Sequence, residues 1–153
     1  MLTTASRAYG VADPAEARLV TGREFLQAII DGQLPAPPIA KTLTFWLTEI
    51  GDGFAVFEGE AGPHLLNPLG IVHGGWAMTL IDSAAGCAAH SLLPAGASYA
   101  TIETKANFSD RSPRTRAVSA PKGARLAAGG ASSRARRGSS TPRAAFLRMG
   151  PRR

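Results

Sequence analysis

The chain has 153 residues and a single cysteine, Cys87, which excludes an internal disulfide and reads as a small buried apolar residue rather than a reactive thiol. A net charge of +6 and a pI near 10.4 suggest an anionic partner, yet the average conceals two parts. Residues 1–108 carry five basic and ten acidic residues, whereas residues 109–153 carry twelve basic and one acidic, so an acidic body precedes a basic tail.

This length fits one domain with a core of its own. Neither a signal-peptide pattern nor a long apolar span is visible, so a soluble cytoplasmic protein without a membrane partner is expected. Residues 1–20 read as a loosely held arm. The stretch TGREFLQAIIDG predicts a short helix: Thr21 and Glu24 have capping-box spacing, Phe25, Leu26, Ile29 and Ile30 supply an apolar face, and Gly32 is a left-handed stop. The prolines of LPAPPIA predict an extended connector. TLTFWLTEI and FAVFEGEA alternate around Gly51-Asp52-Gly53 and predict a hairpin. A loop broken by Gly and Pro leads into a helix from about Gly74 to Leu92, and SYATIETKANF alternates as a further strand. The order implies an antiparallel sheet packed on one dominant helix, an α+β layout.

Two features of the run LLNPLGIVHGGWAMTLIDSAAG carry chemistry. Gly74 and Gly75 leave backbone N–H groups uncovered at a helix mouth, where the dipole favours negative charge and a carbonyl oxygen could dock; a flexible helix entry is the plainer reading. Asp82 shares a helical face with Met78, Ala85 and Ala89 inside a helix that is apolar nearly all round. A buried carboxylate needs a partner or a task, unless it marks only a surface gap in the stripe. Taken singly, His73 reads as a structural hydrogen-bonder and Asn67 as a turn residue beside Pro68.

Their joint spacing, Asn67, Gly70, His73-Gly74-Gly75 and Asp82, resembles the hotdog-fold acyl-CoA thioesterases of the phenylacetate-degradation type. The resemblance covers about residues 42–108, including SYATIETKANF. It implies a long central helix wrapped by a curved antiparallel sheet, assembled as a dimer or a tetramer with active sites between subunits. The Gly74 N–H would polarise the thioester carbonyl, and Asp82 of the partner would be nucleophile or general base. Asn67 would hold water or substrate, His73 would support the loop and contact the thioester, Gly70 and Gly75 would line the substrate, and Thr101 matches a position where related enzymes place a hydroxyl that assists water. The substrate would be an aryl or medium-chain acyl-CoA, coenzyme A being part of the substrate and not a cofactor. The first helix, Trp46 and Trp76 would shape the pocket floor. No metal is expected, since His64, His73 and His90 lack ligand spacing.

The resemblance divides the chain into an arm (1–20), an incomplete hotdog core (21–109) and a basic low-complexity tail (110–153). Read at face value the tail is disordered. Recombining the third base of each codon with the first two of the next permits RPITPDTGxVRAEG after Ser109 and VLDASGRVLAHGTST after Gly138, both strand-like. A frame shift in the gene or its sequencing therefore accounts for the tail, and the last strands of the sheet would be missing or scrambled. A helix left uncovered and an unpaired sheet edge would make the chain fold poorly. Two other readings remain. One is a protein whose basic tail binds nucleic acid, although specific recognition is not expected because Phe146 alone could stack. The other is a hotdog protein that binds acyl-CoA without hydrolysing it.

Overall fold

The computed structural model describes residues 7–106, 108, 124–129 and 146–148. The arm is tied down within this range. Ala36 donates its N–H to the Ala8 carbonyl and accepts from the Gly10 N–H, each at 2.9 Å, which makes a parallel bridge from Tyr9 to the connector. Helix α1 (Pro14–Ala17) follows, capped by Asp13, whose Oδ1 accepts from the Ala15 N–H at 2.8 Å.

Helix α2 (Gly22–Ile30) has the expected reciprocal cap. The Thr21 hydroxyl accepts from the Glu24 N–H at 3.3 Å, and the Glu24 carboxylate accepts from the Thr21 N–H at 2.9 Å. The Thr21 N–H, and then its hydroxyl donating to the same carboxylate oxygen at 2.8 Å, hold the Glu24 carboxyl below the usual carboxylate range. Gly32 stops the chain at φ 77°.

The connector departs from expectation. Pro38 does not exclude a helix but starts one, α3 (Pro38–Thr42), because the first helical position has no use for an N–H. Strands β1 (Phe45–Gly51) and β2 (Phe54–Gly59) form the hairpin, with Gly53 at φ 69° in the turn. A bulge between Leu47 and Glu49 shifts the phase of β1 by one residue, which lets Phe45, Leu47 and Ile50 all face the core.

After a 3-10 turn at Pro63–Leu65, helix α4 (Gly74–His90) runs as predicted. Trp76, Leu80, Ala84 and Ala88 recur at intervals of four, and with Ile81 they bury one stripe against Phe45, Leu47, Ala55 and Phe57 of the sheet. The Ser91 hydroxyl accepts from the Gly53 N–H and donates to the Ala88 carbonyl, both at 2.8 Å, and so ties the hairpin turn to the helix end.

Two corrections concern the sheet. Residues 98–106 and 108, the described part of the segment expected as a strand, make no ladder with any described residue. Within the tail, where composition predicted disorder, Ala124–Gly129 (β3) pairs antiparallel with β2, and Phe146–Arg148 (β4) pairs with β3. The backbone groups along the open edge of β2 require partners, and a Gly- and Ala-rich segment can supply a ladder without an apolar pattern of its own. The sheet therefore has the order β1-β2-β3-β4, and β3 lies against α4 beside β2, so the helix is not left uncovered. The remainder of the tail, and with it most of the expected frame-shifted region, lies outside the described residues. No helix among the described residues is long and apolar enough to cross a membrane.

One close approach fixes how α2 meets α4. The Gly22 N–H donates to the Leu93 carbonyl at 3.1 Å, and a Cβ on Gly22 would lie 1.9 Å from the His90 carbonyl oxygen. Backbone on both sides would have to move. Gly22→Ala is therefore expected to lower unfolding free energy by about 2–3 kcal/mol, as overpacking does, read as a lower urea midpoint at unchanged slope. An unchanged midpoint would mean that the two helices part without cost.

Candidate active site

The loop that enters α4 is built on Asn67. Its Oδ1 accepts from the N–H groups of Leu69 at 2.9 Å and Ile71 at 3.0 Å, while its own N–H donates to the Ile71 carbonyl at 2.8 Å. Gly70 takes φ 74°, a left-handed turn position. The Asn67 carbonyl oxygen thus faces inward to the loop, and only its NH₂ end is left for a ligand. His73 is the N-cap of α4: its Nδ1 accepts from the Gly75 N–H at 2.9 Å, and its N–H donates to the Leu65 carbonyl at 2.8 Å. Of the two glycine amides, Gly75 is therefore engaged. Gly74, at the first helical position, has no intrahelical acceptor, and the described residues supply none. The Phe108 ring lies over Gly74, 3.4 Å from where a Cβ would stand.

Asp82 lies two turns along α4 on the stripe with Met78, Ala85 and Ala89, all half-buried. It is neither fully buried in the core nor open to solvent. Its Oδ1 accepts from the Thr104 hydroxyl at 2.9 Å. Tyr99 reaches across the same helix at Gly86, where a Cβ would stand 2.6 Å from the phenol oxygen. Burial, then the charges of Cys87 and Asp82, pushes the Tyr99 phenol up to about 12; burial and then Asp82 push the Cys87 thiol up to about 12. Both therefore stay protonated at neutral pH. The rings of Phe25, His90 and Tyr99 follow one another at 5.7 and 5.4 Å between centroids, and burial lowers the pKa of His90.

Thr101 is exposed, and no described residue hydrogen-bonds to its side chain. The hydroxyl that meets Asp82 belongs to Thr104, a residue that sequence reasoning missed. The parity of the segment carries a signal for it. Ala106 packs on the core and Thr104 is half-buried, whereas Glu103 and Lys105 are exposed and pair with each other at 2.6 Å. Trp76 also differs from expectation. It is buried in the core, donates its Nε1–H to the Leu43 carbonyl at 2.7 Å and packs on Gly59 and Phe45, so it forms no open pocket floor. A cleft of about 270 Å³ lies elsewhere, between the arm and the end of α2, lined by residues such as Arg7, Ile29 and Leu34.

Gly74 and Asp82 cannot act together within one chain. Eight residues of helix separate them, a rise of about 12 Å, several times the reach of a carboxylate to a carbon held by the amide.

Comparison with known families finds one match to this region. The family model described as Thioesterase superfamily matches residues 69–114, which include Gly70, His73, Gly74, Gly75, Asp82, Thr101 and Thr104 and begin just after Asn67. No curated protein and no solved structure matches the chain.

Proposed function

We propose that the chain is a hydrolase of acyl-CoA thioesters, of the phenylacetate-degradation type, working as a dimer or a dimer of dimers in the cytoplasm. The observation that carries this reading is a pair. An amide with no acceptor among the described residues stands at the mouth of α4, and a carboxylate two turns on lies in a half-buried stripe of the same helix. Two copies whose central helices run side by side in opposite directions bring the Gly74 of one to the Asp82 of the other. The thioester oxygen then accepts from the Gly74 N–H while Asp82 attacks the acyl carbon or takes a proton from the attacking water. The C–S bond breaks, the thiolate leaves and is protonated, and water supplies the oxygen of the free acid. The family match to residues 69–114 supports the reaction class.

In this reading His73 holds the loop through its cap, the Asn67 NH₂ faces substrate or water, Gly70 and Gly75 line the substrate, and the Thr101 hydroxyl assists the water. Coenzyme A enters as the leaving half of the substrate, with an aryl or medium-chain acyl group. We read residues 110–153 as the closing strands of the sheet displaced by a shift of frame. The lack of any ladder for 98–106 among the described residues supports this, and the nucleotide sequence around codon 109 in all three frames tests it.

The test of function is thiol release from an aryl-acyl-CoA and a medium-chain acyl-CoA, followed across a range of chain concentrations. Turnover per chain is expected to rise with concentration as copies pair, then level off. A folded, self-associated chain that releases no thiol from either substrate would overturn the assignment.

A further inference from the structure

The surroundings of Asp82 hold an arrangement that the reaction scheme leaves unused. Among the described residues no cation pairs with it: Arg23 is engaged by Asp52 at 2.8 Å, and Lys105, one residue from Thr104, turns outward to Glu103. The groups that face it from its own helix and from the segment after it, Cys87 and Tyr99, remain neutral. The Thr104 hydroxyl is thus the polar donor that meets the carboxylate, and it does so at one oxygen only.

We propose that Thr104 is a positioning residue for Asp82, an inference that rests on reading Asp82 as the working carboxylate. Threonine suits the task because branching at Cβ stiffens χ1, so the hydroxyl is held by its own backbone. A hydrogen bond from a fixed donor to an ionised acceptor is stronger than a neutral one. Held at Oδ1, the carboxylate loses its choice of rotamers and presents Oδ2 to the reacting atoms. Thr104 touches neither substrate nor water; it acts by removing orientations in which Asp82 cannot reach the acyl carbon. The inward parity that packs Ala106 against the core places the hydroxyl there, while Lys105 pairs with Glu103 on the outward side.

Thr104→Val keeps the shape and removes the donor, and Thr104→Ser restores the donor without the methyl group. Two readouts are needed. The first is kcat and KM for thioester hydrolysis: Val is expected to lower kcat about tenfold with KM nearly unchanged, and Ser to recover most of the loss. The second is independent of activity: the three-bond couplings of the Asp82 methylene protons by NMR, indicating one rotamer in the wild type and in Ser and an average in Val. Wild-type couplings and wild-type kcat in the Val variant would overturn the proposal, as would averaged couplings with undiminished kcat. If the wild-type chain hydrolyses no thioester, the catalytic reading falls and the couplings alone decide. A rotamer lost in Val upholds the positioning contact, and one retained in Val refutes it.

Discussion

Asp82→Asn is expected to lower kcat for thioester hydrolysis by about 10³-fold and to leave the melting temperature of the protein nearly unchanged. The amide has the shape of the carboxylate, and its Oδ1 can still accept from the Thr104 hydroxyl at the position now occupied at 2.9 Å. What disappears is the negative charge and the lone pair that, in the proposed reaction, would attack the acyl carbon or take the water proton. Positioned acid–base groups contribute roughly 10²–10⁴ in rate, and a carboxylate that also serves as nucleophile belongs at the upper part of that range. Since Asp82 is half-buried and has no ion pair among the described residues, removing its charge forfeits little stability. Thiol release and thermal melts on the same preparation check both halves. Full turnover in the variant would leave Asp82 a structural role only.

Gly74→Pro is expected to cost about 10²-fold to 10³-fold in kcat, the loss seen when one donor to a developing oxyanion is removed. Proline is the informative choice because it deletes the N–H and little else. The first position of a helix tolerates it, and His73 already has the extended backbone (φ −65°, ψ 132°) that a following proline demands. Gly74→Ala is the control. It keeps the N–H and adds a Cβ at ordinary contact distance, 3.4 Å, from the Phe108 ring, so it should retain most activity. Equal loss in both variants would point to crowding at the helix mouth and not to the amide.

Together the two inactive variants test where the site is made. If each site takes Gly74 from one copy and Asp82 from the other, hybrids of Asp82→Asn with Gly74→Pro regain one intact site of two. Random mixing through unfolding and refolding should then recover about a quarter of wild-type activity. If both groups served from one chain, no recovery would occur, and the rise of about 12 Å between them would have to be bridged some other way.

Several elements were legible because their signals are local. The Thr21–Glu24 box, the Gly32 stop, the Gly51-Asp52-Gly53 turn and the limits of α4 depend on residues within one or two turns of one another. Dihedral preference and capping chemistry decide such features before any packing occurs. Pro38 is a local feature that was nonetheless misjudged, since the rule against proline inside a helix does not extend to its first position.

The bulge in β1 was not legible. Plain alternation keeps Phe45 and Leu47 in phase and puts Ile50 on the opposite face, and only the shifted pairing with β2 brings all three inward. Nor could alternation say which strand partner SYATIETKANF would find, or that β2 would take its second neighbour from the tail. Alternation describes one strand, whereas a ladder is a property of two.

The candidate site divides the same way. Asn67, His73, Gly74 and Asp82 are marked by spacing along the chain, because a helix mouth and a carboxylate two turns on are set by the helix itself. Cys87 and Tyr99 standing protonated beside that carboxylate, and Thr104 as its hydroxyl donor, follow from how residues 97–106 lie against α4. Helix geometry repeats every few residues and can be read from the order of side chains. The facing of two segments about twenty residues apart is settled only when both bury their apolar sides against the same core, and no short-range pattern records that choice.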